Sequence, residues 1–133
     1  MSSDLVVLDA SVGVKWFSPE SGHEQAVEIL RRAAAGRVRI VVPDLFVYEV
    51  VRSVLRKAGP ASAQEVVRFF SLSHIISVPP GERVLAESLR QADSLGCDFY
   101  DACAPAIASL LGATLYSADR TAHAGYPGVV LVG

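Results

Sequence analysis

The chain has 133 residues, enough for one domain with a real core and too few for two. Half of it is hydrophobic (51%) and a fifth charged (20%), which excludes the disordered and fibrous classes. Twelve basic residues against 14 acidic ones leave a net charge of −2, which excludes a strongly basic nucleic-acid coat but allows a local basic rim. The apolar stretch 104–116 is too short to span a membrane and is interrupted by Pro105, Ser109 and Gly112. The N-terminus shows no basic segment and Asp9 breaks its apolar run early, so no secretory signal is expected. Cys97 and Cys103 form no CxxC pattern and are expected to be reduced, in a cytoplasmic protein.

In chain order, the apolar run Leu5-Val6-Val7-Leu8 predicts a buried strand over 5–9 that ends on a carboxylate, Asp9. Residues 21–36 predict a helix, with Ala26, Val27, Leu30 and Ala33 or Ala34 as its apolar stripe and Gly36 as its stop. A strand over 38–42 closes at Pro43, and Asp44 caps a helix reaching about residue 57, before Gly59-Pro60. A helix over 61–72, a strand over 74–78 ended by Pro79-Pro80-Gly81, and a helix over 82–94 follow. Asp98 then caps a helix ending near Leu111-Gly112. A strand over 113–117, a short turn or helix over 119–124 and a strand over 129–132 complete the chain. No repeat, low-complexity tract or linker appears, so a single domain over 1–133 is expected. Strands alternating with helices predict an α/β fold: three α/β/α layers around a mainly parallel sheet.

In such a sheet the C-terminal strand ends share one edge, and ligands bind outside it. Asp9 ends the first strand, and Asp119 follows the strand over 113–117. Asp101 falls in the first turn of the helix feeding that strand, so it starts at the same edge. Glu49 lies in the second turn of the helix after the second strand, only about 7–8 Å along its axis at 1.5 Å per residue. Four acids distant in sequence therefore converge. Like charges this close raise one another's pKa, and a divalent cation relieves the conflict. Mg²⁺ or Mn²⁺ prefers oxygen ligands, needs only one or two direct carboxylates, and can activate a water for in-line attack on a phosphate. Ser117, two residues before Asp119, and Ser11, two after Asp9, are candidates to orient the acids or a water.

Three segments in order, VVLDASVGVKWF, PDLFVYEVVRSVLRK and DFYDACAPAIASLLGATLYSADR, resemble the successive motifs of PIN-domain ribonucleases, specifically VapC-type toxins, over nearly the whole chain. The resemblance implies that Asp9, Glu49, Asp101 and Asp119 are the four catalytic acids. Asp9 and Asp101 would be the most direct metal ligands, with Glu49 and Asp119 completing the cluster or binding through water. Ser117 matches the small hydroxyl residue two before the last acid. The resemblance also implies Mg²⁺-dependent endoribonuclease activity, with Mn²⁺ able to substitute, leaving 5′-phosphate and 3′-hydroxyl ends. It further implies neutralisation by a VapB-type antitoxin, and a homodimer with no membrane association. The chain departs from the pattern at Pro105, four residues after Asp101, where a proline frees the Asp101 carbonyl. Asp98 is a second acid three residues ahead of Asp101; the YDA context favours Asp101 as ligand and Asp98 as cap.

Each acid also has an ordinary reading: strand terminator for Asp9, ion pair with Arg52 or Arg56 for Glu49, capping or turn residue for Asp101 and Asp119. Convergence distinguishes the two. Arg52, Arg56, Arg120 and Lys15 flank the edge and are candidates to hold RNA phosphates, or else form a solvated, carboxylate-paired rim. His23, His74 and His123 show no metal-ligand spacing and are expected to be non-catalytic, and Trp16 and Phe17 are expected in the core or an interface. The alternatives to a nuclease are a catalytically degenerate PIN-like module that binds protein or RNA, and a haloacid-dehalogenase-type phosphatase. The phosphatase also opens with a strand ending in Asp, but its chemistry needs a second Asp where this chain has Ser11.

Overall fold

The computed structural model describes residues 4–133, so the first three residues of the expected domain lie outside it. β1 (Asp4–Leu8) is followed at once by a short helix α1 (Ala10–Gly13) and a 3₁₀ turn (Val14–Phe17). Then come α2 (His23–Ala34), β2 (Val38–Pro43), α3 (Asp44–Ala58), α4 (Pro60–Leu72) and β3 (Ile76–Val78). α5 (Glu82–Leu95), α6 (Cys103–Leu111), β4 (Thr114–Ser117), α7 (Arg120–His123) and β5 (Val130–Leu131) end the fold. Among the described residues, no helix is long and apolar enough to cross a membrane.

The strands form one sheet in the order β3-β2-β1-β4-β5, every pair parallel, with Val7 opposite both Val41 and Leu115. Because helices cover both faces, the central strands are apolar on both sides rather than alternating with polar residues. Val6, Leu8, Ile40 and Val42 point to one face and pack with Trp16, Ile29, Phe46, Val50 and Val66 from the segments between β1 and β3. Val7, Val41 and Leu115 point to the other, against Ala104, Ile107 and Ala108 of α6. α5 lies against α6 on that second face. This is the expected three-layer architecture.

The sequence pattern does not predict α1 or the 3₁₀ turn, because ASVGVKWF carries no helical period or stop signal. Tertiary contacts account for them. Gly13 lets α1 meet α3 closely: a Cβ there would run into the Phe46 ring and come within 2.9 Å of Val50 Cγ2. Trp16 then sits 5.8 Å from both Phe46 and Phe69, ring centre to ring centre, while its indole Nε1–H donates to the Ala26 carbonyl at 2.9 Å. Its polar edge is thereby satisfied inside an apolar cluster. Gly59, at φ +88°, turns the chain out of α3, and Pro60 opens α4 where no N–H donor is required.

Several sequence expectations shift. Asp44 is the first residue of α3 and not its cap: Pro43 holds that position, and no side chain accepts a hydrogen bond there. The first strand stops at Leu8, and the Asp9 side chain caps α1. The helix expected from Asp98 becomes regular only at Cys103; Asp98 instead caps the turn before it, accepting from the Tyr100 N–H at 2.8 Å. Pro105, in the first turn of α6, has no N–H to close the helical ladder back through Asp101.

Candidate functional site

Because all five strands are parallel, their C-terminal ends define one edge, and the acids gather there. Asp9 donates its N–H to the Tyr116 carbonyl at 3.0 Å, continuing the β1–β4 ladder by one residue, while its Oδ2 accepts the Ser11 N–H at 3.0 Å. Asp119 caps α7 through Oδ1, which accepts the Ala122 N–H at 3.1 Å. Asp101 stands in the turn before α6, and Glu49 in the second turn of α3. These four acids and Ser11 line a single cleft of about 830 Å³. Arg52, Arg56 and Lys57 of α3 line it as well, as does Tyr100.

The ordinary alternative for Glu49, an ion pair with Arg52 or Arg56, does not form. Ion pairs among the described residues join Lys15 to Glu20, Arg31 to Glu28 and Arg90 to Glu87. Glu49 reaches solvent, yet loss of hydration in the cleft wall, reinforced by the charges of Asp9 and Asp101, pushes its carboxyl up to about 7. Arg52 offsets part of this. Asp101 is also raised, first by partial burial and then by Asp119 and Asp9. The cleft therefore concentrates negative charge that a cation would neutralise.

The remaining sequence candidates fall into different places. Ser11 lines the cleft, and its Oγ accepts the Ala118 N–H at 2.9 Å. Ser117 is fully buried beneath it and accepts the Asp119 N–H at 3.0 Å, which ties it to the acid's backbone and not to the cleft surface. Asp98 caps its turn and does not line the cleft. Arg120 is directed to the Gly133 carbonyl at 3.3 Å. Lys15 is buried against the Ser21 carbonyl and Glu20, which removes it from the candidates for holding phosphate.

Sequence reasoning missed His123. Its ring is fully buried, with Nδ1 2.6 Å from Ser117 Oγ and Nε2 2.6 Å from the Asp101 carbonyl oxygen. Pro105 marked that carbonyl as lacking its helical donor, but nothing in the sequence connects it to a residue 22 positions away.

The donor set tests a cation directly. Asp9 and Asp119 each commit one carboxylate oxygen to a backbone N–H, leaving the other without a protein donor among the described residues. No three His, Cys, Asp or Glu side chains among those residues are grouped so as to hold an ion by themselves. An all-oxygen set with one or two reachable carboxylates suits Mg²⁺ or Mn²⁺, which fill their remaining positions with water. The residues present fit such an ion.

The family model for the PIN domain matches residues 6–124. No curated protein sequence matches significantly. Among solved structures, the fold is similar to a toxin–antitoxin complex from Klebsiella pneumoniae, with TM-score 0.73 and 19% identity over 94% of this chain and 95% of that one. It is similar to VapC20 of Mycobacterium tuberculosis, described as a sarcin–ricin-loop-cleaving toxin, with TM-score 0.71 and 17% identity over 93% and 98%. It is also similar to DNA-bound VapBC from Salmonella typhimurium, with TM-score 0.70 and 14% identity over 98% and 97%.

Proposed function

This chain belongs to the PIN-domain family, and from that premise we propose that it is an Mg²⁺-dependent endoribonuclease, the toxin of a toxin–antitoxin pair restrained by a VapB-type antitoxin. The observation that carries the reading is a cleft with four acids from four separate segments and a wall of Arg52, Arg56 and Lys57. A polyanion whose backbone must approach carboxylates needs both features. The toxin–antitoxin character of similar structures supports the partner, and a homodimer belongs to the same reading.

In this reading Asp9 and Asp101 hold the cation, which supplies Lewis-acid neutralisation of charge developing on the phosphate. Asp119 and Glu49 complete the acidic site. Glu49, its carboxyl raised to about 7 before any cation binds, is suited to take a proton from the attacking water. Arg52, Arg56 and Lys57 hold the flanking phosphates. In-line attack forms a new P–O bond and breaks the bond to the 3′ oxygen. The leaving oxygen takes a proton, giving 3′-hydroxyl and 5′-phosphate ends. Mn²⁺ would serve in place of Mg²⁺.

The test is 5′-end mapping of total bacterial RNA after incubation with the purified protein and Mn²⁺. Discrete new 5′-phosphate ends are expected, absent both with Asp101→Asn and with a chelator. The second reading, a non-cleaving module that binds RNA or protein, draws on Asp9 and Asp119 each serving as a helix cap. It predicts no new ends and no Mn²⁺ affinity that depends on Asp101.

A further inference from the structure

We propose that His123 is a positioning residue that fixes the Asp101 backbone in place of the hydrogen bond Pro105 removes, and links that backbone to the other aspartates of the cleft. The inference deepens the function proposed above and rests on Asp101 serving the cation.

Helical hydrogen bonds persist on both sides of the gap. The Ala102 N–H donates to the Asp98 carbonyl at 3.1 Å, and the Ala106 N–H donates to the Ala102 carbonyl at 3.0 Å. Among the positions between them, the donor that would face the Asp101 carbonyl is the N–H of residue 105, and proline has none. His123 Nε2 fills the position at 2.6 Å. A carbonyl only accepts, so Nε2 carries the proton; in the neutral ring Nδ1 then accepts the Ser117 hydroxyl proton.

From Ser117 the network spreads to the other two aspartates. Its Oγ accepts the Asp119 N–H at 3.0 Å and lies 3.5 Å from Ser11 Oγ. Ser11 in turn donates its N–H to Asp9 Oδ2 at 3.0 Å. One buried imidazole thus stands at the junction of the segments carrying Asp9, Asp101 and Asp119. Imidazole suits the place because its two nitrogens, held in one rigid ring, point in diverging directions within the ring plane, one donating and one accepting. An apolar ring of similar size would leave a buried carbonyl and a buried hydroxyl without their partner, the costly outcome for such groups.

The test is Mn²⁺ titration of the full chain by electron paramagnetic resonance, with folding checked by circular dichroism. His123→Ala is expected to weaken Mn²⁺ binding roughly 10–100-fold, the usual range when a group supporting a metal ligand is removed. His123→Ala/Pro105→Ala restores an N–H opposite the Asp101 carbonyl and is expected to recover most of that affinity. A role limited to filling space would not be repaired at residue 105. Unchanged affinity in folded His123→Ala, with affinity abolished in Asp101→Asn, overturns the inference and leaves the proposed function standing. Mn²⁺ binding indifferent to Asp101→Asn overturns both. A second measurement needs no variant: long-range ¹H–¹⁵N spectra of the wild-type chain should show His123 protonated at Nε2. A ring carrying its proton only on Nδ1 overturns the proposal.

Discussion

The two sides of the cleft are held by different forces. The α3 side, which carries Glu49, rests on an apolar layer in which Trp16, Phe46, Phe69 and Phe70 meet at ring-centre distances of 5.4–6.0 Å. The opposite side, which carries the three aspartates, is tied by directional bonds through Ser11, Ser117 and His123. Apolar packing fixes the place of a whole helix without aiming any one polar side chain, whereas a hydrogen bond weakens steeply with angle and so aims the groups it joins. Glu49 is thus placed as part of a rigid body, while each aspartate is set by its own partner. The acid without such a partner is also the one whose carboxyl rises to about 7.

The largest expected effect breaks the aspartate side. Asp9→Asn or Asp101→Asn should reduce RNA cleavage to background while leaving the thermal midpoint close to wild type, since an amide oxygen preserves the hydrogen bond from Ser11 at residue 9. Cleavage retained in both variants would sink the proposed mechanism. Next comes the apolar side. Phe46 is buried at 1% exposure, and Phe46→Ala should cost about 3–5 kcal/mol by urea denaturation. Measured where that variant is still folded, Mn²⁺ affinity should fall far less than in Asp101→Asn, because Asp101 is held through His123 and not through α3.

A pH dependence sharpens the contrast further. Glu49 ionises near its ordinary 4.5 when unfolded and at about 7 when folded. Between those values the folded chain holds a proton that the unfolded chain has released, so cation-free stability falls as pH rises through that window. Asp101, raised as well, acts in the same direction. Thermal midpoints in chelator should decline as pH rises through that range, and Glu49→Gln should flatten much of the slope. An identical slope in the variant would remove Glu49 as its source. The smallest effect concerns the basic wall. Arg52→Ala, Arg56→Ala and Lys57→Ala should each weaken RNA binding and lower the salt-dependence slope by about 0.7–0.9 for each phosphate no longer neutralised.

Much of this was legible in the sequence. Strand–helix alternation predicts the parallel sheet, and the parallel sheet places Asp9, Glu49, Asp101 and Asp119 at one edge. What escaped depends on the meeting of distant segments. α1 and the 3₁₀ turn exist because Gly13 admits Phe46 and because Trp16 has an aromatic socket, and neither fact is local. Lys15 reads as a surface cation, yet it is buried against Glu20 and the Ser21 carbonyl; Arg120 is exposed as expected, but turns to the Gly133 carbonyl and not into the cleft. Pro105 announced an unpaired carbonyl, but only the fold brings His123 to it.

The most direct test of a cation site in the cleft is an anomalous difference map from crystals soaked in Mn²⁺. The account predicts density in the cleft, in contact with Asp9 and Asp101 and absent from Asp101→Asn crystals. Mn²⁺ bound only elsewhere, with the cleft closed by an Arg52 guanidinium paired to the acids, would contradict it.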